Sequence, residues 1–301
     1  MSFNLNVQKI RLMTYKYPII GKLLYPLILF RRLILQKKYS QQDIIYKNLC
    51  ELLVEDPIIK VDEFQGVFVI NSRSVLFKRL LINKEYEPLL VNLVLKHLNI
   101  NLDAIDVGAN IGFYTVLFAK KLNSGRVLSI EPTKNALNRL YKNIKLNNVM
   151  DRVIVFEGAV SDCVSSCQIK TMNGKEEYST LGKWCHPCIE KENFITYKIE
   201  VSTIDNLVKE FSLEPGFIKI DVEGVEHLVL KGAKSTLMEK RPVILSELSN
   251  PLLKQNSSSS LDVINFLKSL DYVVLNAEDS EIKPEFIEFT NILAIPVELY
   301  R

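Results

Sequence analysis

Short apolar runs alternate with stretches of helical period along residues 85–301, which is typical of an α/β fold. Seven runs predict the strands of one sheet, at residues 102–107, 126–130, 153–156, 217–220, 242–245, 272–275 and 291–295. Helical patterns occupy residues 113–122, 136–146, 225–230 and 261–270. An acidic loop joins the last two runs, and we expect these two strands to be antiparallel.

The turn after the first strand is built from small residues and reads Asp106-Val107-Gly108-Ala109-Asn110-Ile111-Gly112. Such a turn lets a ligand approach the backbone at the N-terminus of the next helix. Glu131 follows Gly112 by 19 residues, at the end of the second strand. A Rossmann-like fold places there the acid that binds ribose hydroxyls. The sequence therefore predicts a nucleoside-binding site.

The glycine spacing differs from the G-x-G-x-x-G of dinucleotide-binding enzymes. It resembles motif I of class I S-adenosylmethionine-dependent methyltransferases, and with the Phe-Tyr-Thr that follows it resembles the FkbM family. Lys219-Ile220-Asp221-Val222-Glu223-Gly224, with Lys231-Gly232-Ala233 after the next helix, is similar to a second FkbM hallmark. The resemblance covers roughly residues 85–297 and begins near Tyr86-Glu87-Pro88.

This resemblance implies a Rossmann-like, doubly wound sheet of seven strands in the order 3-2-1-4-5-7-6, with the last strand antiparallel, preceded by an N-terminal helical segment. It also implies S-adenosyl-L-methionine as the cosubstrate. Glu131 would hold its ribose. Backbone around Gly108, Asn110 and Gly112 would hold its methionine part, with Tyr114 or Thr115 near its carboxylate, and Asp106 is a further candidate contact. The turn after the third strand would contact its adenine, through Ala159, Val160 and Asp162.

Three acids are expected at the carboxyl ends of the strands: Asp221, Glu223 and Glu247. In the expected strand order, Asp221 and Glu247 lie on neighbouring strands, about 5 Å apart. Acids that close are protonated, paired with a cation or bound to a metal. We therefore expect a catalytic acid cluster, with Asp221 and Glu247 as candidate ligands of Mg²⁺ or another divalent cation. The alternative is that the acids only hydrogen-bond the loop and the cosubstrate's ammonium.

The sequence thus predicts an O-methyltransferase acting on a hydroxyl of a sugar, glycolipid or natural product. Its partner would be a small molecule or glycan, and no nucleic-acid partner is expected. N- or carboxyl-methylation is the nearest rival, although the Asn/Asp-Pro-Pro-aromatic motif of many amino-methylating enzymes is absent after the fourth strand. Two further functions stay open, those of a catalytically silent cosubstrate-binding protein and of a nicotinamide dehydrogenase.

The first 40 residues contain eight of the 38 Lys and Arg residues and no acid, so the remainder holds 30 cations against 35 acids. We expect residues 1–56 to form a basic helical arm. It either packs as a helical pair on the catalytic domain or lies at a membrane surface, with Tyr25, Leu29 and Phe30 in the headgroup layer. No secretion signal is visible, and the expected location is cytoplasmic, with membrane association in the second case.

Two further segments carry predictions. Residues 57–84 contain β-favouring runs at 67–70 and 75–77, which predict a small hairpin or meander before the methyltransferase domain at 85–301. Residues 163–199 form a polar insertion with four cysteines, Cys163, Cys167, Cys185 and Cys188. Their C-x3-C and C-x2-C spacing is compatible with structural zinc. The alternative is reduced thiols in a cytosolic enzyme. Glu87 either contacts a ligand or is an acid that favours the helix dipole.

Overall fold

The computed structural model describes residues 41, 43–171, 195–279, 283–284 and 288–300. The chain divides into two compact units, Met1–Val54 and Glu55–Arg301. In the first unit, residues 43–52 are helical. The predictions for residues 1–40 and for Cys185 and Cys188 lie outside the described residues.

The second unit contains twelve described strands and nine described α-helices. The strands are β1 Ile58–Val61, β2 Gly66–Val69, β3 Asp103–Val107, β4 Val127–Ile130, β5 Val153–Phe156, β6 Gly158–Val160, β7 Ser165–Thr171, β8 Ile195–Ser202, β9 Pro215–Ile220, β10 Val243–Ser249, β11 Tyr272–Asn276 and β12 Phe289–Pro296. The helices are α1 Val75–Asn83, α2 Pro88–His97, α3 Phe113–Lys121, α4 Lys134–Leu146, α5 Ile204–Glu210, α6 Glu226–Lys231, α7 Lys234–Glu239, α8 Asn250–Gln255 and α9 Ser260–Ser269.

Seven strands form the central sheet, in the order β5-β4-β3-β9-β10-β12-β11. Neighbouring strands are parallel except at β12, which is antiparallel to both β10 and β11. This confirms the predicted order 3-2-1-4-5-7-6 and the antiparallel last strand. The sheet order reverses at β3, where β4 lies on one side and β9 on the other, and ligands of open α/β sheets bind beyond such a point.

Helix α3, which follows the motif I turn, is buried on every side. The pattern predicts a single buried stripe, yet all residues from Phe113 to Ala119 are buried. Phe113 packs against Phe64 and Phe68 of the hairpin segment, with ring centroids 4.9 and 4.5 Å apart. The first two turns of the helix thus lie between the sheet and a second apolar layer, which explains why residues Phe113 to Ala119 are buried on all sides.

The hairpin predicted before the methyltransferase domain is formed by β1 and β2. Two side-chain amides of α4 hold it, because Asn143 and Asn147 both accept from and donate to the backbone of β2. The strand predicted at residues 75–77 is wrong, since this stretch begins helix α1. Ser74 caps that helix by accepting from Phe77 N at 3.0 Å. The N-cap serine stabilises a helix at residues whose β propensity alone favours a strand.

The insertion after β5 is more regular than its composition predicts. Its described strands, β7 and β8, form a three-stranded sheet with the preceding β6, in the order β6-β8-β7. A small core of Ala159, Ile169, Ile199 and Val201 holds this sheet together. Cys163 is exposed and Cys167 half-buried, and neither is in a disulfide.

Within the described ranges, we find no helix with the length and hydropathy required to cross a membrane.

Candidate active site

A cavity of about 640 Å³ lies at the carboxyl ends of β3, β4, β9 and β10. Nine of the predicted site residues line it: Gly108, Asn110, Tyr114, Glu131, Ala159, Val160, Asp221, Glu223 and Glu247. The other four predicted residues, Asp106, Gly112, Thr115 and Asp162, do not line it. The structure therefore brings six of the ten predicted cosubstrate-binding residues and all three predicted acids into one cavity.

The backbone of the motif I turn explains its residue types. Gly108, Asn110 and Gly112 have φ angles of 76°, 50° and 91°. These angles lie in the left-handed region, which glycine adopts freely and asparagine tolerates better than most residues. At Gly108 a Cβ would also lie 1.9 Å from the Asp221 carbonyl oxygen. The turn therefore requires glycine there both for its conformation and for its contact with the end of β9.

Glu131 is held in place by the turn and by the start of α4. Its Oε2 accepts from Asn110 N at 2.9 Å, and its Oε1 accepts from Thr133 N at 2.8 Å and Thr133 Oγ1 at 2.6 Å. Burial raises the pKa of the Glu131 carboxyl, and the bonds from Thr133 and Asn110 oppose that shift. An ionised carboxylate has about four lone-pair positions. Three are used, so Oε2 retains capacity for a ligand hydroxyl.

Asp106 and Thr115 lie beneath the cavity wall. Thr115 Oγ1 donates to Asp106 Oδ2 at 2.7 Å and lies 2.7 Å from Ser129 Oγ. All three side chains are buried. Asp106 Oδ1 has no hydrogen-bond partner among the described residues. Thr115 therefore fixes the acid below the turn, and the expected place of Tyr114 or Thr115 near the cosubstrate's carboxylate stays a prediction.

Tyr114 connects helix α3 to the segment before α2. Its hydroxyl donates to Glu87 Oε2 at 2.8 Å. Glu87 stands at the N-cap of α2, where its side chain makes no capping bond. Burial, followed by the charge of Glu87, raises the pKa of Tyr114 well above its usual value. Glu87 thus faces the cavity with a tyrosine as partner, which agrees with a ligand contact better than with a helix-dipole role.

Asp221 and Glu247 lie side by side, as the strand order predicts. Residue 220 of β9 pairs in register with residue 246 of β10, so Asp221, directly after β9, lies level with Glu247 within β10. Burial and then the charge of Asp221 raise the pKa of Glu247 to about 7. Lys219 Nζ donates to Asp221 Oδ2 at 3.0 Å and lies 4.9 Å from the centroid of the Tyr114 ring. A protein cation therefore neutralises one of the two acids.

Lys219 is nine-tenths buried among acids. Burial alone lowers the pKa of its ammonium, but the charges of Asp221, Asp106 and Glu87 outweigh that effect and raise it above the usual value. The sequence signal is a lone lysine in the strand Phe217-Ile218-Lys219-Ile220, because a buried lysine requires a partner. Sequence reasoning missed Lys219 as a site residue.

The loop that follows Asp221 bends sharply. Glu223 and Gly224 have φ angles of 54° and 96°, and a Cβ on Gly224 would lie 2.6 Å from Leu252 Cβ. Glu226 Oε1 accepts from Gly224 N at 2.9 Å, which fixes the bend from inside the protein. Glu226 is fully buried, and this burial raises its pKa to about 7.

Two helices complete the cavity wall beside the acids. From α1 come Val75, Leu76 and Arg79, and from α8 come Pro251, Leu252 and Gln255. Ser249 and Phe289, from the paired ends of β10 and β12, also line it. The sequence offered one usable signal for α1, namely Ser74 as N-cap followed by apolar residues at helical spacing.

The donor set fits S-adenosylmethionine. The left-handed turn brings backbone to the cavity, and Glu131, which lines it, retains a free acceptor position. The described residues offer less for a metal ion. Among the described residues there is no group of three or more His, Cys, Asp and Glu side chains arranged to hold a metal ion.

Comparison with known proteins identifies the family. Residues 106–274, more than half of the chain, match the Methyltransferase FkbM domain. Methyltransferase sdnD of Sordaria araneosa is 24% identical over 152 residues, which are 42% of this chain and 59% of the relative. The chain thus matches about three fifths of that curated relative's length.

Two solved structures are similar. Methyltransferase FkbM from Methylobacillus flagellatus KT is 21% identical, with a TM-score of 0.43 and coverage of 65% of this chain and 44% of that one. The METTL16 MTase domain is 15% identical, with a TM-score of 0.44 and coverage of 80% and 76%. From the family match, the chain belongs to the FkbM family of S-adenosylmethionine-dependent methyltransferases.

Proposed function

We propose that this protein transfers a methyl group from S-adenosyl-L-methionine to a hydroxyl of a sugar, a glycolipid or a natural product. The observation that carries the proposal is the pair Asp221 and Glu247, which shares one cavity with the motif I turn and has Lys219 as its cation. An aliphatic hydroxyl is a weak nucleophile and gains from a positioned base.

The cosubstrate half of the cavity would be formed by the turn, Glu131 and the end of β5. Glu131 would accept from the ribose hydroxyls, and Ala159 and Val160 would contact the adenine. Backbone of the turn would hold the methionine part, with Glu87 and Tyr114 beside it. When bound, S-adenosylmethionine supplies an electrophilic methyl group on a sulfonium, which leaves as a neutral thioether.

The acceptor half would place its hydroxyl at Glu247. Asp221 has one oxygen engaged by Lys219, whereas the pKa of Glu247 is raised to about 7 by burial and by Asp221. Glu247 is therefore the better base near neutral pH. It takes the hydroxyl proton as the new C–O bond forms, and Asp221 holds the hydroxyl in line. Glu223 lies at the bend and also faces the acceptor.

A divalent cation such as Mg²⁺ at Asp221 and Glu247 stays a prediction. Lys219 already places an ammonium 3.0 Å from Asp221 Oδ2, which gives the acid pair a positive charge without a metal. Methyl-transfer rates before and after EDTA, with and without added Mg²⁺, separate the two cases. A rate lost to EDTA and restored by Mg²⁺ supports the metal, and an unchanged rate supports Lys219 as the cation of the pair.

The proposal is tested by transfer of a labelled methyl group to acceptors that carry hydroxyls as their only reactive groups. Methyl pyranosides of glucose, galactose and mannose contain neither amine nor carboxyl groups, so any labelled, alkali-stable product is an O-methyl ether. Glycolipids and hydroxylated natural products extend the same assay.

Each rival function has its own result in this assay. Label that enters only amines, or only alkali-labile esters, favours N- or carboxyl-methylation. Binding of S-adenosylhomocysteine without transfer to any acceptor class favours a silent binding protein. Tighter binding of a nicotinamide cofactor than of S-adenosylhomocysteine would contradict the whole proposal.

Several further expectations remain predictions. They are the domain bounds at 56 and 84, the small-molecule or glycan partner, the cytoplasmic location, and the contact of residues 1–40 with anionic membranes. Co-sedimentation with anionic vesicles, compared with a chain truncated to Gln41, tests that contact. Metal analysis of protein made with zinc present tests whether Cys163, Cys167, Cys185 and Cys188 hold an ion.

A further inference from the structure

The proposed acceptor half of the cavity contains a buried serine hydroxyl, that of Ser249, without a hydrogen-bond partner among the described residues. It stands two residues beyond Glu247 on β10, so both side chains point to the same face of the sheet. Ser249 lines the cavity and is only 6% exposed.

Helix capping does not account for this serine. Ser249 occupies the N-cap of α8, where a serine ordinarily accepts from a backbone N–H of the first turn, yet it makes no such bond. The other hydroxyl N-caps of the described helices are all engaged. Ser74, Thr203 and Ser259 accept from Phe77 N, Asn206 N and Asp262 N, and Thr133 donates to Glu131.

The position of Ser249 also separates it from the other buried groups without partners. Five side-chain atoms are buried and unpaired in the described part of the chain, and they belong to Asp106, Glu226, His227, Ser249 and Ser260. Of these residues, Ser249 alone lines the cavity. A buried hydroxyl without a partner is unfavourable, and a ligand oxygen in the cavity would remove that penalty.

The surroundings of Ser249 indicate the chemistry of that ligand. Phe289 pairs with Ser249 across β10 and β12, lines the cavity and is 63% exposed. An uncharged hydroxyl beside an exposed aromatic ring suits a ligand that has oxygens on its edge and carbon on its face. Glu247 lines the same cavity two residues before Ser249.

We propose that Ser249 Oγ binds a second oxygen of the acceptor, close to the oxygen that is methylated. The acceptor is then a polyol, with at least two hydroxyls near each other, and Phe289 packs against its carbon face. Ser249 is a specificity-determining residue, because it selects acceptors by the neighbouring hydroxyl. This inference rests on the proposed function and narrows its substrate class.

The test measures binding apart from turnover. Protein loaded with S-adenosylhomocysteine is titrated by NMR with the methyl pyranosides of glucose, galactose and mannose and with their monodeoxy analogues. For the pyranoside that binds best, Ser249→Ala should weaken binding about fivefold to tenfold, the usual effect of one neutral hydrogen bond. One of the monodeoxy analogues should bind the wild type more weakly than the intact pyranoside does, by the same factor as the loss caused by Ser249→Ala. The Ser249→Ala variant should bind this analogue and the intact pyranoside equally.

Two control variants accompany the test. Ser260→Ala removes an equally buried and unpaired hydroxyl that does not line the cavity, so it should leave binding unchanged. Ser249→Thr keeps a hydroxyl at the same position and should retain most of the affinity. Thermal unfolding of each variant checks that it is folded.

Equal binding by the wild type and Ser249→Ala would overturn the inference, and so would failure of the wild type to bind any of the three pyranosides. The proposed function is judged separately. Pyranoside binding that depends on Ser249, without any methyl transfer, would contradict the proposed reaction and leave the subsite in place. Methyl transfer that is indifferent to Ser249 would overturn the subsite alone.

Discussion

The two proposed halves of the cavity differ in how their polar side chains are hydrogen-bonded. In the proposed cosubstrate half, the carboxylate of Glu131 is already bonded by three donors of the protein, two of them from Thr133. In the proposed acceptor half, Glu247 has a pKa raised to about 7 and Ser249 Oγ has no partner within the described residues.

This difference suggests a division of labour within one cavity, with cosubstrate binding in one half and the proposed reaction in the other. Groups bonded before the ligand arrives are rigid, so they hold a constant cosubstrate in one orientation. Groups that are crowded or unpaired interact more strongly once an acceptor arrives, and a base with its pKa near neutrality can take a proton. Substitutions in the two halves should therefore affect different steps.

The largest effect is expected at the acid pair. Asp221→Asn and Glu247→Gln should each lower turnover about 10²-fold or more, the usual scale of general acid–base catalysis, while affinity for S-adenosylhomocysteine stays nearly constant. Steady-state rates and calorimetry measure the two quantities. The control is Glu200→Gln, an exposed acid of β8 outside the cavity. If turnover is unchanged in both variants, the acid mechanism is wrong and catalysis rests on proximity and orientation.

The next largest effect is expected at Glu131, where substitution should weaken cosubstrate binding, in contrast to the acid pair. Glu131→Ala should weaken binding of S-adenosylhomocysteine by about 1.5–3 kcal/mol, because hydrogen bonds from the ribose to a charged acceptor are lost. Calorimetry measures the change, with Glu157→Ala as control, since Glu157 is an exposed acid outside the cavity. Equal affinity in wild type and variant would remove Glu131 from the site.

A third effect concerns stability and is expected at Glu226, which accepts a hydrogen bond from Gly224 N in the loop after Asp221. The pKa of Glu226 is raised from 4.5 to about 7 in the folded protein. Its contribution to stability is therefore complete below about pH 4.5 and is lost as the pH rises to about 7. Between about pH 5 and 8, the free energy of unfolding should fall by about 2 kcal/mol less in Glu226→Gln than in the wild type.

Urea denaturation at the two pH values measures the effect of Glu226→Gln. Glu200→Gln again serves as the control, because an exposed acid should leave the decline unchanged. A decline of the same size in wild type and Glu226→Gln would show that Glu226 does not titrate in this range.

The smallest effect is expected at the unpaired hydroxyls. Ser249→Ala and Ser260→Ala should change the free energy of unfolding by less than about 1 kcal/mol, because neither variant breaks a hydrogen bond within the described protein. Thermal unfolding without ligand measures this. Destabilisation of Ser249→Ala well beyond that of Ser260→Ala would mean that Ser249 has a structural role, and would weaken the contrast between the two halves.

The positions of the strands of the central sheet, the motif I turn and the place of Glu131 directly after β4 could be predicted from sequence patterns. Strand and turn signals are local: Gly108, Asn110 and Gly112 adopt the left-handed backbone that their residue types favour. The order of strands predicted from the family resemblance was also enough to bring Asp221 and Glu247 together.

The hydrogen-bond partners of these groups follow from the folded structure and could not be predicted from the sequence pattern. Which side chains meet across strands and helices decides three features of the site. Lys219 pairs with Asp221, Thr115 bonds Asp106 beneath the cavity wall, and Ser249 Oγ has no partner among the described residues. Helix α1 depends on a cap, and the sheet of β6, β8 and β7 joins segments far apart in the chain. Propensity and period describe neighbours along the chain, whereas hydrogen bonding and burial are set by neighbours in space.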